Sequence, residues 1–214
     1  MLSREMNCSP QSDISQLCAF CSPKSGSVSA IAMLQQLEFD RTYDSMEALK
    51  IAVTCVIAAV LYGIIHDQFT ARICIEYFTI FHPPIFHTQS PTLLGIGWGI
   101  VATWWVGVFF AVPMILAARA GSRPTLRASE LLPSIVWLLA CMAASAMLFG
   151  ITGYVLARKG VLATGWLIFS ASPAIRYRFM ADWWAHTASY GAAFVGGVVL
   201  CVATHRRRLR PRVR

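Results

Sequence analysis

The chain has 214 residues, 57% of them hydrophobic and 13% charged, against about a quarter charged in an average soluble protein. That balance excludes a disordered tail, a collagen, a coiled coil and a disulfide-stapled secreted miniprotein, and it assigns most of the chain to lipid. The 18 Lys and Arg against 10 Asp and Glu give a net charge of +8, which in such a chain bears on membrane orientation before it bears on nucleic acid.

Residues 1–45 are rich in Ser, Gln and Cys and lack a basic segment leading into a long apolar run, so they read as a disordered cytoplasmic N-terminus rather than a signal peptide. Met33 and Met46 are alternative initiators. Cys18 and Cys21 have the two-residue spacing of metal or redox pairs, but only Cys8 is near and no His precedes His66, so a four-ligand zinc site cannot be completed locally.

A membrane domain is expected over 46–204. A helix needs about 20 mainly apolar residues to cross the hydrocarbon, because lipid leaves no backbone polar group a partner outside the helix. Four stretches meet this: Ala48 to Ile65, Leu93 to Ala118, Leu131 to Ala157 and Trp183 to Ala203. Lys50 can snorkel from the first, and Pro113 in the second is tolerable within a helix bundle. Cys55, Cys141 and Cys201 fall in spans as small packing residues, and Cys74 alone falls in an outer connection, so an outer disulfide within the chain is not expected.

Between the first two spans, Phe69, Ala71, Ile73, Ile75 and Tyr77 alternate with polar residues, as in a short strand or β-hairpin, before Pro83-Pro84 ends the pattern. This connection is expected to form an extracytoplasmic lid. Val161 to Ala171 is too short to cross and reads as an interfacial or re-entrant helix. Gly95 and Gly99 are one turn apart, as are Ser189, Ala193 and Gly197, which suits close helix packing.

Lys and Arg concentrate before the first span, between the second and third, and in the basic tail 205–214. The positive-inside rule then puts both termini in the cytoplasm of an inner-membrane protein. On this topology three of the four acids after Glu47, namely Asp67, Glu76 and Asp182, lie on the outer side with His66, His82, His87 and His186. Asp182 and His186 are four apart and share a helix face.

His66, Glu76, His82 and His186 are therefore the candidate metal or proton-relay set, with Asp67 and Asp182 as orienting partners. Imidazole and carboxylate suit a transition metal such as zinc. The same groups could relay protons, and a haem held between His66 and His186 is a third, less favoured reading. The set matches no sharp zinc-enzyme motif. The bland alternative is that His66-Asp67 caps a span, His82-Pro83-Pro84 shapes a turn and Asp182 neutralises Arg176 or Arg178.

The segments Tyr62-Gly63-Ile64-Ile65-His66-Asp67-Gln68-Phe69-Thr70, Glu76-Tyr77-Phe78-Thr79 and His82-Pro83-Pro84 resemble a family of uncharacterised bacterial multi-pass membrane proteins. Gly97-Trp98-Gly99, Ala102-Thr103-Trp104-Trp105, Ala181-Asp182-Trp183, Ala185-His186 and Ser189-Tyr190 are similar to that family's later segments. The resemblance covers roughly residues 48 to 203 and implies membrane topology and bacterial origin; the family has no assigned activity, so it implies no mechanism. The expected fold is an all-α integral membrane protein of four transmembrane helices with its outer lid. Two functional classes follow: a metal-dependent membrane enzyme, or a non-enzymatic accessory or transport subunit. The expected partners are the lipid bilayer and a homo-oligomer or other membrane subunits, with no nucleic acid.

Overall fold

The computed structural model describes residues 25–162 and 172–209. Every regular element among them is helical: α1 (Ser25–Ile73), a short π-helical segment (Tyr77–Phe81), α2 (Pro91–Val101), α3 (Trp104–Arg119), α4 (Ala128–Arg158) and α5 (Pro173–Arg207). The chain divides into two units at Met46. In the first, the described residues 25–45 belong to α1, so this part of the segment expected to be disordered is helical. Positions 1–24, with the Cys18/Cys21 pair, lie outside the described residues, as do positions 163–171 of the expected interfacial helix.

Among the described residues, four helical stretches are long and apolar enough to cross a membrane: Ile31–Ile73, Pro91–Arg119 (α2 with α3), Ala128–Arg158 and Pro173–Arg207. Their surfaces are inverted relative to a soluble protein. Ile57, Leu61, Phe109, Leu148, Ile151, Val195 and Val199 are exposed, whereas Asp67, Thr70, Asp182, His186 and Ser189 are buried. Side chains of this kind face outward at no cost only where the solvent is itself apolar.

Local chemistry sets the helix starts. Ser90 and Ser172 each precede a proline, and each hydroxyl accepts the N–H three residues on, Leu93 and Ile175, at 3.5 Å. Proline at the first helical position gives up no hydrogen bond, and the serine satisfies one otherwise unpaired donor. At α4 the Glu130 carboxylate takes the Arg127 N–H at 2.9 Å.

No strand forms among the described residues, which corrects the expected β-hairpin. Asp67, Ala71, Cys74 and Phe78 are buried at helical spacing, while Phe69 of the alternating run is 68% exposed. Alternation of apolar and polar residues marks a strand only if apolar groups must turn inward, and on a lipid-facing helix they need not. The π segment instead lies across one end of α5, with Tyr77 and Phe81 against Phe179 at ring separations of 5.4 and 5.2 Å.

Within the second unit, α4 and α5 pack along each other and α3 packs on α5. The approach of α2–α3 to α1 is closer. A Cβ on Gly99 would fall 2.5 Å from the Ile64 backbone, one on Gly63 would fall 2.6 Å from the Gly99 carbonyl oxygen, and one on Gly107 would fall 2.6 Å from Val56 Cα. Gly99, Thr103 and Gly107 are spaced by four, so the small-residue spacing seen at Gly95 and Gly99 extends into α3 and lets the two backbones touch. Two apolar clusters result, one around Phe78, Trp98 and Phe179, the other around Ile51, Met114 and Leu131. Along α1 the polar residues Tyr62, His66 and Asp67 fall between them.

The opposite end of the unit is closed by Arg208, just past α5, which extends slightly beyond the expected boundary at 204. Its guanidinium donates to the carbonyls of Pro124 (2.8 Å), Ala120 (2.9 Å), Ala117 (3.0 Å) and Arg123 (3.1 Å), tying the α3–α4 connection to the end of α5. Arg208→Ala removes all four and is expected to destabilise the fold by about 3 kcal/mol. The check is an earlier thermal transition in detergent with unchanged helix content at low temperature; an unshifted transition would show the clamp to be dispensable.

Candidate metal centre

His66 and Asp67 are consecutive on α1, one turn beyond Tyr62, and His186 faces them from α5. Among the described residues, these are the His, Cys, Asp or Glu side chains whose donor atoms gather in a group of three, all within 4.8 Å of one another. The His66 and His186 rings meet edge to face at 4.6 Å, and His186 Nε2 stands 3.3 Å from Asp67 Oδ1.

The proton positions follow from the partners. His186 Nδ1 lies 2.9 Å from the backbone carbonyl oxygen of Asp182, one helical turn back, and a carbonyl can only accept. Nδ1 therefore carries a hydrogen and donates. In the neutral ring that leaves a lone pair on Nε2, directed at a carboxylate that also offers only lone pairs. Two acceptors 3.3 Å apart require a proton or a cation between them. On His66 the ring nitrogen Nε2 is buried with no hydrogen-bond partner among the described residues. Buried ring nitrogens are almost always paired, so this one calls for a partner that the described side chains do not supply, a water or an ion.

Two tyrosines hold the imidazoles. Tyr77 stacks on His186 at 4.7 Å and Tyr62 on His66 at 5.7 Å. The Tyr62 hydroxyl pairs with that of Ser189 at 2.8 Å, which ties α1 to α5 beside the site. On the α2 side, a Cβ on Gly95 would fall 2.9 Å from the Asp67 carbonyl oxygen, so the close helix approach fixes the backbone that carries the carboxylate. Thr103, in the short break between α2 and α3, lines the same cavity as the three donors.

Of the candidates read from sequence, His66 and His186 are brought together, and Asp67, expected to orient them, joins them as a donor. Asp182 serves through its backbone carbonyl; its side chain is fully buried, and both carboxylate oxygens lack a hydrogen-bond partner among the described residues. Glu76 and His82 stand outside the group of three. The Cys74 thiol, raised to about 12 by burial, keeps its hydrogen and donates to Glu76 Oε2 at 3.3 Å. His82 donates from Nδ1 to the Tyr77 carbonyl at 2.8 Å and packs against Trp98 at 4.6 Å. Burial holds its imidazole below the usual range, so it is neutral and serves the chain turn. Tyr62, Tyr77 and Ser189 were missed; the spacing of Tyr62 to His66 by four and of His186 to Ser189 by three was the available signal for two of them.

Comparison with protein-family models, curated proteins and solved structures gives no match to this chain.

Proposed function

We propose that the chain is a multi-pass inner-membrane protein that holds a first-row transition-metal ion, zinc or iron, on His66, Asp67 and His186. The observation that carries this reading is the gathering of two histidines and an aspartate, with ligand atoms within 4.8 Å of one another, where the His66 ring also has a buried nitrogen without a hydrogen-bond partner. Donors about 2.1 Å from one ion stand about 3 to 4 Å apart, so the group closes on an ion with a shift of about an ångström at its widest pair. An imidazolium–carboxylate pair would satisfy His186 and Asp67 but leave His66 Nε2 alone; a single cation satisfies all three.

Two imidazoles and a carboxylate suit zinc or ferrous iron and leave coordination positions open. Bound there, the ion would supply Lewis acidity to whatever occupies those positions. The chain's own part is to fix the ring orientations through Asp182, Tyr62 and Tyr77 and to exclude bulk water by burial. The sidedness follows from the basic residues, which put the site toward the outer face with both termini cytoplasmic.

The full chain, purified in detergent and loaded separately with zinc and with ferrous iron, is expected to retain one of them stoichiometrically through gel filtration, as measured by elemental analysis. Retention of neither would overturn the reading.

A further inference from the structure

His66, Asp67 and His186 all line one cavity of about 40 Å³ between the helices. A water-sized molecule needs about 10–15 Å³ by this measure, so the space beside the three donors takes two or three heavy atoms. An organic substrate needs a few hundred cubic ångströms. A cavity of about 300 Å³ exists beside Thr79, His87, Gln89 and Trp98, but none of the three donors lines it.

The walls narrow the choice further. Ala59, Val106, Met142 and Ala193 are apolar, no Lys or Arg lines the cavity, and the Tyr62 and Ser189 hydroxyls already pair with each other. An anion would meet no countercharge but the ion itself and would lose its hydration on entry, whereas an uncharged diatomic molecule loses little. The cavity lies among helices whose outward faces are apolar, so the hydrocarbon phase is a nearby reservoir of such a molecule.

We infer that the ion's open coordination positions take a small uncharged ligand of dioxygen size, arriving through the lipid, and that larger ligands are shut out by the cavity wall. This rests on the metal reading above. Binding alone is inferred: the ligand donates a lone pair to the ion, and no bond within it breaks.

Nitric oxide is the probe, added without oxygen to the full chain loaded with ferrous iron in detergent. The expected result is the half-integer-spin EPR signal of a ferrous nitrosyl, with no spectral change on adding imidazole. Met142→Ala enlarges the cavity and is expected to admit imidazole while keeping the nitrosyl signal. Iron-loaded protein that gives no nitrosyl overturns the inference and leaves the metal reading standing. Imidazole binding to the wild-type chain as readily as nitric oxide overturns the size limit; a chain that takes up no iron overturns the inference, and the metal reading falls with it only when zinc is not retained either.

Discussion

A His186→Ala chain is expected to fold with the helix content of the wild type and to lose at least about 100-fold in metal affinity, since even partners of metal ligands are worth about 10- to 100-fold when removed. The fold should survive because the imidazole borders a cavity and alanine leaves no buried polar group of its own at the position. The loss should be large because two donors remain, and one of them, His66, was held edge to face against the missing ring. Asp67→Asn tests the same group differently. It keeps the shape of the side chain, removes its charge and lets an amide donate to His186 Nε2, so the protein should be at least as stable as metal-free wild type while its metal affinity is lost. Elemental analysis and thermal unfolding read the two effects separately. An Asp67→Asn chain that keeps its full metal content, or a His186→Ala chain that does, would remove these residues from the coordination sphere.

The second large effect is steric. Gly99→Leu drives a side chain into the Ile64 backbone, 2.5 Å from where its Cβ would sit, and a helix backbone cannot step aside as a flexible side chain can. Overpacking of this kind costs about 1–3 kcal/mol, and more where backbone must move. The damage should extend to the metal, because α2 also abuts the Asp67 carbonyl at Gly95, and separating the helices displaces the carboxylate. Gly191→Ala is the matched control: nothing lies within 4 Å of a Cβ there, so the change should be neutral or slightly stabilising. Unfolding midpoints in detergent for the two variants should diverge. Equal midpoints would mean that the α1–α2 approach is not close-packed.

The four apolar helices were legible from hydropathy, because lipid demands long uninterrupted runs and the chain supplies them. The shared face of Asp182 and His186 and the turn spacing of Gly95 and Gly99 were legible from helical periodicity. The pairing of His66 and Asp67 with His186 was legible only as a level in the membrane, since sequence places helix ends at a common depth but says nothing of which face each presents to its neighbour. That missing rotation is why Glu76 and His82 entered the candidate set: they stand at the right level, yet one takes the Cys74 thiol hydrogen and the other turns to the Tyr77 carbonyl. The alternating run over 69–77 was misread for a related reason, because period two and period 3.6 are hard to tell apart over nine residues when both faces tolerate apolar groups.

Asp67 and His186 are separated by 119 positions. Two of the three clustered side chains are therefore made with α1 and the third only with α5. A nascent chain that has released α1 through α4 holds a carboxylate and an imidazole in the bundle with no complement to either, and no ion can be gripped until α5 arrives. An ion held as proposed would thus enter after α5 has packed, closing the assembly of the site rather than nucleating it.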